Sequence, residues 1–207
     1  MDCFKRKFIS FASIRNVKSA VHRIEVIQDI GWSLNPPLEA AVCDSGLMTQ
    51  QRIVKFSHTF VQGISKNHIR SLSKQTAYFH RAGLVHGDLC RSNIGARGEK
   101  VFIFDWEPAI VLSNGILRTS PYCIHPFDLK QNTITMLTDR FAILFHIVIL
   151  KFPCDDLFLL YERFKNKIVN FLEIFGSISI DCCAEKFFAY LENHFELEKG
   201  KSSQALL

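Results

Sequence analysis

His86-Gly87-Asp88-Leu89-Cys90-Arg91-Ser92-Asn93, followed shortly by Val101-Phe102-Ile103-Phe104-Asp105-Trp106-Glu107, holds the densest polar chemistry in the chain. Gly87, Ser92 and Asn93 suit no regular element, so the first half reads as a loop. Residues 101–104 form a β-prone run that ends on the carboxylate of Asp105. Asp88 and Asn93 stand five residues apart, and Asp105 follows Asp88 by 17 residues. The pattern predicts a polar loop and a strand end that present two acids and an amide to one place.

At these residues the chain resembles the protein-kinase-like superfamily. That group spans minimal bacterial-type Ser/Thr protein kinases, lipopolysaccharide-core sugar kinases and aminoglycoside phosphotransferases. His86-Gly87-Asp88 with Asn93 is similar to the H-G-D-x4-N catalytic loop, and Asp105-Trp106-Glu107 to the D-F-G position in its D-W-E form. The chemistry accounts for the spacing. Phosphoryl transfer needs a carboxylate beside the attacking hydroxyl and oxygen ligands on Mg²⁺. The resemblance implies Asp88 and Asn93 as catalytic residues, with Asn93 and Asp105 as metal ligands. It also implies ATP and Mg²⁺ as cofactors. His86 is expected to be a packed loop residue rather than a base. Gly87 stands where many regulated kinases carry an arginine, so dependence on loop phosphorylation is not expected. Cys90 stands where a γ-phosphate lysine is common, and Arg91, one residue on, is the candidate substitute.

Composition sets outer bounds. The chain has 207 residues, is 48% hydrophobic and 22% charged, and carries 19 Phe, which describes a globular protein with a Phe-packed core. A formal net charge of +5 suits an anionic ligand such as a nucleotide but does not require one. Seven cysteines without a C-x-x-C pair argue against a metal site or disulfide framework and for a reducing compartment. The first eight residues lack the apolar core of a signal peptide, and the longest apolar run, 141–150, is too short to span a bilayer. A cytoplasmic location is expected, in the host cytosol if the protein is an effector.

Towards the N-terminus, residues 3–12 allow a strand, with Lys5 and Lys7 on one face. Ile14, Val17, Val21, Ile24, Ile27 and Ile30 recur at helical spacing and predict a helix to about residue 30. Two further strands are expected at 38–43 and 52–60. In the kinase reading this is a truncated N-lobe over residues 1–63. Lys5 or Lys7 would contact phosphate, with Glu25 paired behind it. No Gly-rich hairpin precedes Lys5, since only four residues stand there. Residues 57–62 would pass the adenine, and Gly63 would serve as the hinge.

Residues 64–207 are expected to form a helical C-lobe. A helix over 67–81 leads into the loop and stops at Gly83, and two further helices are predicted at 155–175 and 181–197. Residues 113–126 resemble a short activation segment, with Phe127 where a glutamate usually stands. Asp139 opens the buried helix and is implied, by resemblance, to bond backbone N–H groups of the loop. The fold class expected is therefore α+β, in the protein-kinase-like form. The function expected is transfer of a γ-phosphate to a protein Ser/Thr hydroxyl. The alternatives are a sugar or other small-molecule acceptor, and a pseudokinase binding module. The expected partners are ATP and the acceptor, not nucleic acid.

Overall fold

Alternation of inward and outward side chains builds the N-terminal sheet. A computed structural model describes residues 4–10, 17–30, 38–52, 58–106 and 121–204. Strands β1 (Phe4–Ser10), β2 (Leu38–Cys43) and β3 (Gly46–Arg52) form an antiparallel sheet in the order β1-β3-β2. Leu47, Thr49 and Gln51 of β3 are buried, while Met48 and Gln50 between them are more open. The β2–β3 connection is the two-residue turn Asp44-Ser45. Gly46 is needed where β3 meets β1, because a Cβ there would collide with the Ile9 carbonyl and the Phe8 ring.

The second strand differs from expectation. It begins earlier, with β3 over 46–52; of the expected span 52–60, Arg52 and His58–Thr59 (β4) are extended and residues 53–57 lie outside the described residues. The run Thr49-Gln50-Gln51 looks like a polar link, yet its inward members are buried. Gln51 has a partner there, since its Nε2 donates to the Ile103 carbonyl at 2.9 Å.

Helix α1 (Val17–Ile30) lies against β2 through a stripe of Ala20, Ile24, Ile27 and Ile30. Strand β4 belongs to a second antiparallel sheet with β5 (Ile94–Arg97) and β6 (Lys100–Ile103), in the order β4-β5-β6. Residues on both sides of position 63 thus share one sheet.

The remainder is helical: α2 (Lys66–Arg81), α3 (Pro126–Gln131), α4 (Met136–Lys151), α5 (Leu157–Phe175) and α6 (Ile180–Gln204). Helix α4 is the centre of the core. Phe141, Ala142, Ile143, Leu144, Phe145, Ile147 and Val148 are all buried, so it is apolar on nearly every side. Helices α2, α5 and α6 pack around it, and the phenylalanines meet there as Phe141 on Phe145 and Phe171 on Phe187. The chain is α+β, and no helix among the described residues is long and apolar enough to cross a membrane. The six described cysteines are free thiols.

Candidate active site

Helix α2 delivers the chain to the loop. Its end is a Schellman motif, in which Leu84 N–H bonds Phe79 O and Gly83 N–H bonds His80 O, each at 3.0 Å, with Gly83 at φ 75°. The loop then runs to a 3₁₀ turn at Arg91–Asn93, which feeds β5 directly. The β5–β6 hairpin pairs Ile94 with Ile103. The ladder continues one step outward, with Phe104 N–H donating to Asn93 O at 2.8 Å. Twelve residues of sequence are thereby folded back, and Asp105 emerges beside the loop that carries Asp88 and Asn93.

Asn93 is buried and ties the loop together. Its amide nitrogen donates to the Asp88 carbonyl at 3.0 Å and to Asp88 Oδ2 at 2.9 Å. With the nitrogen committed to Asp88, the amide oxygen is the atom suited to a cation. Asp105 adopts φ 56°, in the left-handed region that a non-glycine residue enters at a cost. The peptide before it is fixed at both ends, by Asn93 O on the Phe104 nitrogen and by His86 Nε2 on the Phe104 oxygen at 2.9 Å. Trp106 follows, 2% exposed. Its Nε1 donates to Ile103 O at 3.2 Å, and its ring meets those of Phe79 and His86 edge-on.

His86 has no spare lone pair for a substrate. Its Nδ1 accepts the Asp88 N–H at 3.2 Å, so Nε2 carries the hydrogen donated to Phe104 O. Its side chain is structural, as expected. Asp139 holds the loop from below. Its Oδ2 accepts from His86 N at 2.8 Å and His80 Nε2 at 2.9 Å, and its Oδ1 accepts from Gly87 N at 2.8 Å. The carboxylate is 0% exposed. Gly87 sits at φ 84°, a conformation that disfavours any side chain and gives the glycine a steric reason.

Three of the expected ligand contacts are placed otherwise. Arg91 donates Nε to Phe60 O and Nη2 to Val61 O, both at 2.8 Å, so its fork is spent on the turn at 60–62 rather than held out toward a phosphate. The backbone of residues 58–60 is likewise engaged with β5 and Arg91, which leaves less of it for a purine edge than expected. Glu25 is on the outer side of α1, with its side chain 65% exposed and its carboxylate 3.6 Å from His22 Nδ1. The cause is the phase of the apolar stripe. At about 100° per residue, position 25 falls roughly opposite the mean of 20, 24, 27 and 30. The side chains of Lys5 and Lys7 lie outside the described residues, as do Glu107 and residues 113–120. The backbone register sets Lys5 across from Gln51, the residue bonded to Ile103 O.

Cys90 is buried and its thiol meets Ser92 Oγ at 3.1 Å, with burial pushing the thiol's pKa up. It lines a cavity of about 220 Å³ with Val61, Arg91, Tyr122, Cys123 and His146. His146 is buried, and burial lowers its pKa to about 4; the neutral ring donates Nε2–H to Leu89 O at 2.8 Å.

Phe127 is exposed, and the anchoring falls to the next residue. Asp128 is 0% exposed and accepts from Thr135 N at 2.9 Å and from the Thr138 hydroxyl at 2.7 Å. Sequence reasoning passed over Asp128, His80, His146 and Gln51; the usable signal was a polar residue on an otherwise apolar face.

Among the described residues no group of three or more His, Cys, Asp or Glu is placed to hold a metal. A magnesium site built from one carboxylate, one amide oxygen, nucleotide phosphates and water would not form such a group. No protein-family model matches the chain, and no curated protein matches its sequence.

Proposed function

We propose that the chain is an ATP- and Mg²⁺-dependent phosphotransferase of the protein-kinase-like kind, which moves the γ-phosphate to a hydroxyl. The observation that carries this reading is the frame around Asn93. One residue bonds the Asp88 side chain and, through its carbonyl, the peptide that precedes Asp105. Asp88 is then the carboxylate that orients the hydroxyl and takes up its proton. Asp105 and the Asn93 amide oxygen are hard ligands suited to Mg²⁺, which when bound supplies charge neutralisation to the phosphates. Asp139 and His86 fix the loop so that little reorganisation is needed at the moment of transfer.

A protein Ser/Thr hydroxyl is the acceptor favoured. The cavity beside Cys90 is lined by Tyr122, Phe145, Ile149 and Leu157, and its polar members have partners of their own: Arg91 with Phe60 O and Val61 O, Ser92 with Cys90, and His146 with Leu89 O. It suits an apolar side chain next to the hydroxyl better than a sugar, whose several hydroxyls would each need a partner. The outward Glu25 and the engaged Arg91 favour a second reading, a binding module that holds a nucleotide without turnover.

The test is transfer of labelled phosphate from ATP to generic protein and sugar acceptors, in Asp88→Ala and Asp105→Ala beside the wild type. Magnesium-dependent incorporation is expected in the wild type and a loss of at least ~100-fold in each variant. Nucleotide binding without transfer supports the binding module. Neither transfer nor magnesium-dependent nucleotide binding rejects both.

A further inference from the structure

A second cavity, of about 290 Å³, opens between α2, α4 and the link from α5 to α6. That is far above the ~10–15 Å³ that admits one water. Its polar lining is His80, Arg81, Arg140, Ser177 and Ser179. Arg140 is 9% exposed, and its one hydrogen bond donates Nη1 to Ile178 O at 2.7 Å. Among the described residues no carboxylate lies within ion-pair distance of it, and burial lowers its pKa. A buried guanidinium without a counter-ion is costly to the fold. His80 lines the same cavity and ties it to the loop. Its side chain is 6% exposed, Nε2 is on Asp139, and Nδ1 is buried with no hydrogen-bond partner among the described residues. Asp181, in the first turn of α6, accepts from the Ser179 hydroxyl and also feels the charge of Arg81.

We infer that this cavity is a binding site for a small free oxyanion of the phosphate class. Arg140 supplies the counter-charge, the Ser177 hydroxyl and the edge of the His80 ring line the same space, and Arg81 stands at the rim. Because the other edge of His80 bonds the carboxylate that holds His86 and Gly87, occupancy is felt at the loop carrying Asp88. The inference uses no part of the phosphotransfer reading and stands or falls apart from it.

The experiment is titration of the full chain with inorganic phosphate at constant ionic strength, against a chloride control, followed by calorimetry and by the ¹⁵N shift of the His80 ring. Saturable binding with a shift of the His80 ring signals, which line the cavity, is expected in the wild type. Arg140→Gln should weaken it by roughly tenfold or more, and the exposed Arg81→Gln, which leaves the buried groups alone, by several-fold. Amide hydrogen exchange at His86 and Gly87 should slow when phosphate is present. If Arg140→Gln does not fold, Arg81→Gln and the His80 shift still decide. Absence of saturable binding overturns the inference, as does phosphate that binds with neither variant weakened and the His80 ring unmoved.

Discussion

Replacement of Asp139 by asparagine tests whether one buried carboxylate sets the loop. Three donors converge on it, two at Oδ2 and one at Oδ1. Asparagine keeps one acceptor oxygen and puts an NH₂ at the other place. With oxygen at the Oδ2 place, Gly87 N–H faces the new donor. With oxygen at the Oδ1 place, His86 N–H does. Either way a buried backbone N–H loses its acceptor, at about 1–3 kcal/mol. The bonds that survive lose charge assistance, which roughly halves them. The sum is about 2–4 kcal/mol, within the 5–15 kcal/mol typical of a folded protein, so the variant should remain folded but weakened. Urea unfolding should show that loss, and amide exchange at His86 and Gly87 should accelerate beyond what the global change explains. Exchange at Thr138, which has its own tie to Asp128, should follow the global change only. If unfolding shifts by less than ~0.5 kcal/mol and the two amides exchange as before, the carboxylate does not hold the loop.

Three other perturbations read the same frame. Asp105→Gly removes a side chain from φ 56°; thermal unfolding should hold or rise by up to ~1 kcal/mol while magnesium-dependent nucleotide retention is lost. Gly87→Ala places a Cβ at φ 84° and should cost about 1–2 kcal/mol in urea unfolding. His146 has a folded pKa of about 4 against the ordinary 6.5, so as pH falls the unfolded chain takes up the proton first. Its contribution is intact above the unfolded value and is lost progressively as pH drops from there toward the folded one. Between about pH 7.5 and about pH 5 this is worth about 2 kcal/mol. His146→Gln, which can still donate to Leu89 O, should lose that part of the acid sensitivity, and equal slopes in both proteins would reject the assignment.

The sequence carried the loop and the strand-end acid because both obey short-range rules. A turn-rich stretch and a β-prone run joined by a tight hairpin leave little freedom in where Asn93 and Asp105 meet. The α2 and α4 helices were legible for the same reason, through their apolar residues and Gly83. The missed features are tertiary. Gln51 reads as a link until its partner, the Ile103 carbonyl 52 residues away, is known. Arg91 reads as a phosphate group until the Phe60 and Val61 carbonyls are placed beside it. Glu25 is different, because the stripe of Ile24, Ile27 and Ile30 already set its direction. Helical phase, not distance along the chain from Lys5, decides where its carboxylate points.

Four of the five buried histidines among the described residues show how a largely apolar chain holds its irregular segments. His68, His80, His86 and His146 each direct Nε2 at an oxygen, respectively Gly98 O, Asp139 Oδ2, Phe104 O and Leu89 O, at 2.8–2.9 Å. Gly98, Phe104 and Leu89 all lie in turns or loops, where carbonyls lack ladder partners. A flat ring with a donor at its far end fills apolar space and still meets such a carbonyl, which a lysine could do only by burying a charge. For the three carbonyl acceptors the neutral ring suffices, and in His86 the second nitrogen is also used, by Asp88 N–H. A histidine one residue away from Gly87-Asp88 is therefore not evidence for a histidine base. Of the four, His80 alone directs its ring at a carboxylate, and that carboxylate also takes the backbone N–H groups of His86 and Gly87. His80 is thus the ring that ties α2 to the loop carrying Asp88.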